Sequence, residues 1–218
     1  MKISIVHPSY GRPLQALECY VQWRKKSKHY NDIQWIISLS SDDTRIDEYC
    51  DLFDNIENVT LLISDTMNVV QAANIACKYI TGDFIILVSD DMYACDNWDD
   101  ELIKIFEENK DKPLIVQIDD SIRKDIMTLA IMNYKAYEKL QYLYHPKYIS
   151  MYADNDLSEV EKSHDMYYDA THLKFDHRHY SVGKSEIDDT YRKENSNIAF
   201  EIGKRIFEDR KNAGFPIQ

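Results

Sequence analysis

Asp83-Phe84-Ile85-Ile86-Leu87-Val88-Ser89-Asp90-Asp91-Met92-Tyr93-Ala94-Cys95-Asp96-Asn97-Trp98 is an apolar run that stops at two adjacent carboxylates. Gly82 and charged residues bound the segment from Phe84 to Val88, and Ile and Val enrich it, so it reads as a fully buried strand. Two carboxylates at the carboxyl end of such a strand repel and raise one another's pKa unless a cation or hydrogen-bond donors lie between them. In open α/β sheets the ligand crevice lies outside the carboxyl ends of the strands. Asp90 and Asp91 therefore read as a place for hard Mg²⁺ or Mn²⁺, which prefers carboxylate oxygen and commonly shares a phosphate ligand. The competing reading makes Asp90 or Asp91 the cap of a helix with Trp98, Leu102 and Ile105 on its core face.

Upstream, Ile3 to Val6 forms a short apolar strand, followed by the breaker-rich loop His7-Pro8-Ser9-Tyr10-Gly11-Arg12-Pro13. Leu14, Leu17, Tyr20 and Val21 then recur at helical spacing, with Pro13 suited to the first turn. Trp35 to Leu39 predicts a second strand ending at Ser40-Ser41-Asp42-Asp43-Thr44, then a helix over Ile46 to Phe53 and a third strand over Val59 to Ile63. A helix beginning at Asn68 and ending at Gly82 precedes the Phe84 strand. At least four strands thus alternate with helices, the pattern of a mostly parallel, doubly wound α/β sheet with helices on both faces. Neither G-x-G-x-x-G nor G-x-x-x-x-G-K-[ST] occurs.

The second half is less regular. Strands are expected at Leu114 to Ile118 and Met127 to Met132, and a helix over Tyr134 to Leu143. Asp154 and Asp156 are placed just before a further helix. Tyr167 to Phe175 alternates as a strand and ends in Asp176-His177-Arg178-His179. A polar loop, Ser181 to Asp189, leads to a last helix in which Ile198, Ile202 and Ile206 are spaced by four.

At 218 residues the chain is one ordinary domain, and its five Gly and five Pro leave little room for long linkers. A net charge of −12 argues against a nucleic-acid partner, which needs a basic patch. The 16 Tyr suit surfaces that bind rings or sugars. Cys19, Cys50, Cys77 and Cys95 form no C-x-x-C pair, which argues for free thiols in a reducing compartment. The chain enters a strand almost at once and holds no apolar run of membrane-spanning length, so a cytoplasmic protein is expected.

The ordered set of motifs resembles the GT-A fold glycosyltransferases, and in particular the large inverting, family 2-like group that includes cellulose, chitin and hyaluronan synthases. That group opens with a strand followed by Pro-Thr-Tyr-Asn-Arg, and Val6-His7-Pro8-Ser9-Tyr10-Gly11-Arg12 is similar. Ser41-Asp42-Asp43-Thr44 resembles its carboxylate and serine cluster after the second strand. Ala72-Ala73-Asn74, Gly82-Asp83 and Ser89-Asp90-Asp91 follow the order of its Ala-x-Asn helix, Gly-Asp and Asp-x-Asp, with Ser89 replacing the first Asp.

The resemblance implies a Rossmann-like GT-A sheet, with residues 1–98 as the nucleotide-sugar half and 99–218 as the acceptor half with a C-terminal loop and helix. It implies transfer of a sugar, with inversion, from a nucleoside-diphosphate sugar, a UDP-sugar being favoured, to a glycan or other hydroxyl acceptor. Pro8, Ser9 and Tyr10 would frame the nucleobase, Arg12 would face the base or diphosphate, and Asp42 would accept from the base. Asn68 and Asn74 would approach the nucleotide. With Ser89 beside it, Asp91 would hold Mn²⁺ or Mg²⁺, and Asp90 would contact the ribose or a second metal position. His177, ahead of His179, would complete the metal shell. Asp156, with Asp154 as alternative, would take the proton of the acceptor hydroxyl. A sugar-nucleotidyltransferase and a non-catalytic nucleotide- or carbohydrate-binding module are the competing readings, and oligomeric state is left open.

Overall fold

The computed structural model describes residues 1–217. In chain order the first half contains β1 (Ile3–Ser9), α1 (Pro13–Lys26), β2 (Ile33–Ser40), α2 (Ile46–Phe53), β3 (Val59–Ser64), α3 (Val69–Ala76), β4 (Phe84–Leu87), β5 (Met92–Tyr93) and α4 (Trp98–Glu108). The second half contains β6 (Ile115–Asp119), β7 (Ile131–Asn133), α5 (Tyr134–Leu140), α6 (Ala153–Ser163), β8 (Tyr167–Lys174), β9 (Asp176–His177), α7 (Asp189–Glu194) and α8 (Asn197–Asn212).

Seven strands form one sheet in the order β3-β2-β1-β4-β7-β6-β8, and only β7 runs antiparallel to its neighbours. The sheet is therefore mixed and mostly parallel, as the alternation of elements predicts, and it runs unbroken through both halves of the chain. Side chains of successive strand residues point to opposite faces. Ile3, Ile5, Phe84, Ile86 and Val88 face a core shared with α1, α2 and α4. Val6, Ile36, Ile85 and Leu87 face a second core with α3, α5 and α6. Near-continuous apolar runs are what burial on both faces requires.

Close backbone approach fixes two of the contacts between elements. A Cβ on Gly82 would lie 2.5 Å from the Ser4 amide nitrogen, so only glycine lets the chain enter β4 beside β1. Gly203 allows α8 to rest on the backbone of Met151. On the α1 side, Trp23 and Trp98 meet edge to face with centroids 4.9 Å apart, an arrangement that adds about 1 kcal/mol beyond area burial. Their indoles also tie backbone together: Trp98 Nε1 donates to the Trp23 carbonyl at 3.1 Å, and Trp23 Nε1 to the Met92 carbonyl at 2.7 Å. The loop after β4 is thereby anchored to α1.

Several boundaries in the second half differ from the sequence reading. The strand expected over Met127 to Met132 is confined to Ile131–Asn133. Side chains satisfy the preceding backbone instead: Gln117 donates to the Ile126 carbonyl and the Met127 amide donates to Ser158. The helix expected to reach Leu143 stops at Leu140, because Gln141 turns into the left-handed region (φ 65°) and Asn74 accepts from the amides of Leu143 and Tyr144. Asp154 and Asp156 lie inside the first turn of α6 rather than before it. In α8 the buried face is Ala199, Gly203 and Arg210, whereas Ile198 and Ile202 are exposed.

Glu161 of α6 is fully buried, and neither carboxyl oxygen has a hydrogen-bond partner. Burial pushes its pKa up to about 9. The folded state thus retains a proton that the unfolded chain releases at the usual glutamate value. Its contribution to stability is full below that value and is lost as pH rises from there through about 9. Glu161→Met is expected to raise stability by about 1–3 kcal/mol at pH 8 and to flatten the decline between pH 5 and 9, read from urea unfolding at both ends of that range.

Candidate active site

The carboxyl ends of β1, β2, β3 and β4 share one rim. Beyond β1 the chain turns through Gly11, which adopts φ 68° as an L side chain rarely does. The Gly11 amide donates to Asp43 Oδ2 at 2.6 Å, and the Arg45 amide donates to Asp43 Oδ1 at 2.9 Å. Buried Asp43 therefore clamps the β1 loop to the end of β2, while Asp42 remains exposed on the rim. Arg12 is set by its own amide, which donates to the Tyr49 hydroxyl at 2.9 Å.

A cavity of about 130 Å³ opens between these loops. Pro8, Ser9, Tyr10 and Arg12 line it from β1, and Ser40 and Asp42 from β2. Thr66, Met67, Asn68, Val69 and Ala72 line it from the segment joining β3 to α3, and Ser89 and Asp90 from the end of β4. The far wall is α7, through Thr190, Lys193 and Glu194. This wall is latched to the β1 loop: Arg12 donates through Nε and Nη2 to both oxygens of Asp188 at 2.6 Å. Thr190 also donates to the Tyr10 carbonyl at 3.0 Å, and the Lys193 ammonium lies 4.8 Å above the Tyr10 ring.

Asp90 and Asp91, adjacent in sequence, face different partners. Asp90 is buried beside the fully buried His7 of β1, with Oδ1 at 2.9 Å from His7 Nε2. Its Oδ2 lies 3.8 Å from Arg12 Nη1. Asp91 accepts from the Ser89 hydroxyl at 2.7 Å, and its Oδ2 lies 3.5 Å from Nε2 of His177. The other ring nitrogen of His177 lies 3.1 Å from Asp120 Oδ2. Asp120 is itself fixed by the amides of Ile122 and Arg123. His177 reaches this position because β9 pairs antiparallel with β5, His177 opposite Met92.

The charges follow from these contacts. Burial alone would lower the pKa of His177, but hydrogen bonds and charge from Asp120 and Asp91 outweigh it and raise it to about 9. Burial works to raise Asp91, yet His177, Ser89 and Arg12 hold its carboxyl well below the usual carboxylate range. His179 differs from its neighbour: burial and the charge of His177 lower its pKa, and its Nδ1 pairs with the Ser181 hydroxyl at 2.7 Å.

Solved structures share this fold. S. aureus TarS 1–349 superposes with a TM-score of 0.66 over 80% of the chain at 11% identity, and TarS 1–349 in complex with UDP gives 0.64 at 13%. The mannosyltransferase PcManGT from Pyrobaculum calidifontis, in complex with GDP-Man and Mn²⁺, gives 0.61 over 97% of the chain at 10% identity. The fold is GT-A. The chain spans 59% of TarS 1–349 and 75% of PcManGT. No protein-family model and no curated protein matches the sequence.

On this GT-A rim, Pro8, Ser9, Tyr10, Arg12, Asp42, Asn68, Ser89 and Asp90 all line one cavity, and Asp91 with His177 forms a pair beside it. Neither Asp90 nor Asp91 caps α4, whose N-cap is Asn97. Asn68 caps α3 by accepting from the Gln71 amide, so its carbonyl is already engaged. Asn74 does not line the cavity; its side-chain amide holds the 143–144 backbone on the outer side of α3. Among the described residues no group of three or more His, Cys, Asp or Glu is arranged to hold a metal ion. Asp91 and His177 nevertheless offer a carboxylate oxygen and, once Nε2 gives up its proton, an imidazole nitrogen side by side. Asp120 holds the far ring nitrogen, the arrangement that orients metal-binding histidines. These residues fit a divalent cation that takes its remaining ligands from phosphate and water.

The two carboxylates in the first turn of α6 have different surroundings. Asp156 is buried, accepting from Arg210 Nε of α8 at 2.5 Å, from Arg210 Nη2 at 3.2 Å and from the Tyr148 hydroxyl at 3.1 Å. A carboxylate so engaged joins two helices and has no free face for a substrate proton. Asp154 has no ion-pair partner among the described residues, and burial, with Asp120 adding its charge, raises its pKa. His7, Pro8 and Ser9 belong to β1 rather than to the loop that their breaker-rich composition predicts. Sequence alone gives no role to His7, to Trp35 or to the link from Asp120 to His177. Asp156→Asn is expected to leave Arg210 buried without its counter-charge and to cost about 3 kcal/mol in urea unfolding, without altering nucleotide affinity of the folded protein.

Proposed function

We propose that this chain is a metal-dependent glycosyltransferase that moves a sugar, with inversion, from a nucleoside-diphosphate sugar to an acceptor hydroxyl. The observation that carries the reading is the pairing of Asp91 with His177, backed by Asp120, at the edge of a cavity lined by the β1 and β4 loops of a GT-A sheet. UDP in one structural neighbour, and GDP-Man with Mn²⁺ in another, support a nucleotide-sugar donor and a divalent cation. A UDP-sugar is the first donor to test.

In this reading the base enters between Tyr10, Asp42 and Asn68, and Asp42 accepts from its edge. Arg12 is the cation nearest the phosphates, and an anionic ligand competes with Asp188 for its guanidinium. Asp91 and His177 hold the cation, which when bound offsets the charge on the departing diphosphate. Ser89 replaces a carboxylate of the Asp-x-Asp pattern without removing support from the site, because its hydroxyl bonds Asp91. Asp154 takes the acceptor proton, because Asp156 is buried and tied to Arg210 and Tyr148.

Calorimetric titration with UDP-, GDP-, CMP- and dTDP-sugars, in Mn²⁺ and in EDTA, tests the reading. One nucleotide class is expected to bind in Mn²⁺ and to weaken at least tenfold in EDTA; absence of binding by all four would sink it. Asp91→Ala is expected to remove the Mn²⁺ dependence. Asp154→Asn is expected to keep donor affinity while lowering transfer by about 10²–10⁴-fold in a product assay.

A further inference from the structure

The cavity holds about 130 Å³, whereas pockets that enclose small molecules run from about 300 to 1,000 Å³. One wall has to give before a nucleotide fits. The walls from β1, β2 and β4 continue buried strands, and Ala72 of α3 is buried as well. The remaining wall, α7, buries no residue, and none of residues 178–198 is buried. A segment with so few buried contacts is the one that opens most easily. Gly183 precedes it at φ 71°, with nothing within 4 Å of the place a Cβ would take, and so offers a free pivot.

Polar contacts to the β1 loop hold α7 in place, and they fall on the groups that the donor-site reading gives to the ligand. Asp188 fills the Arg12 fork, each of its oxygens accepting at 2.6 Å, which is how a guanidinium grips a phosphate. Lys193 stands 4.8 Å above the Tyr10 ring, on a face that a base would otherwise meet. Thr190 closes the contact by donating to the Tyr10 carbonyl. Asp188 also accepts from the Tyr191 amide, so one carboxylate both caps α7 and docks it. The Asp188 side chain is 40% exposed. Solvent screens such a pair, which leaves it exchangeable for a stronger anion.

We propose that α7 is an autoinhibitory latch, in which Asp188 occupies Arg12 in place of a ligand's diphosphate and the segment swings out about Gly183 to admit a nucleotide. The inference rests on the donor-site reading above and adds that the free protein occupies its own site. Affinity is then reduced by the fraction of molecules that are closed, and weakening the latch restores it.

The test is calorimetry with UDP, GDP and inorganic pyrophosphate in Mn²⁺, on the wild-type protein and on Asp188→Asn and Asp188→Ser. Asn and Ser are both good helix caps, so each variant keeps α7 capped while removing the charged fork, and either serves if the other does not fold. Both are expected to bind the preferred nucleotide, and pyrophosphate, about three- to tenfold more tightly than the wild type. Asp189→Asn removes the same charge from a fully exposed neighbour that pairs only with Arg192, and is expected to leave affinity unchanged. Hydrogen exchange of the Tyr191, Arg192 and Asn195 amides is expected to be faster in free Asp188→Asn than in the free wild type. Unchanged or weaker binding by the Asp188 variants, an equal gain in Asp189→Asn, or unaltered exchange in α7 would overturn the latch while leaving the donor site intact. Binding of pyrophosphate alone, tightened in the Asp188 variants, would overturn the nucleotide reading and keep the latch. Failure of every ligand to bind any variant would overturn both.

Discussion

Two neighbouring carboxylates at the end of a buried strand have to be kept apart, and the rest of the site is arranged around that constraint. Like charges so close oppose each other's ionisation unless donors or a cation lie beside them. Each is met by a different histidine. His7 reaches Asp90 from within the sheet, and His177 reaches Asp91 from a two-stranded ladder outside it. The strand between them is held by indoles and a thiol: Trp23 binds the Met92 carbonyl, and Cys19 the carbonyls of Ser89 and Met92. Core packing by α1 and placement of the two carboxylates are one structural event.

The first half of the fold is legible in the sequence because its signals are local. Apolar runs of four to eight residues alternate with helical spacing, and each strand end is marked by a breaker or a charge. The second half is harder because side chains replace backbone ladders. Gln117 and Ser158 satisfy the chain between Ser121 and Leu129, and Asn74, far earlier in sequence, ends α5. Ser158 and Asn74 lie 31 and 69 residues from the amides they bind, outside any local window.

The same distinction governs the site. Residues at or just beyond a strand's carboxyl end, from Pro8 to Arg12, Asp42, and Ser89 to Asp91, fall on the rim because strand direction puts them there. The sense of Asp154 and Asp156 is not local. Both occupy the first turn of one helix, and only the position of Arg210, 54 residues on, turns Asp156 into a strut. Spacing also left His177 and His179 nearly equivalent, as strand residues two apart point the same way. Asp120 separates them, because it reaches the ring of His177 and leaves His179 to Ser181.

The pairing of β5 with β9 has a consequence for the order in which the molecule is made. Met92 and His177 are opposite one another in a two-strand ladder, yet they stand 85 positions apart in the chain. Loop closure over that length comes after local strand–helix units have formed. On the ribosome, the β1–β4 core can assemble with its Asp90–His7 contact in place while His177 is still untranslated. The nascent chain can therefore form the cavity floor before the Asp91–His177 pair.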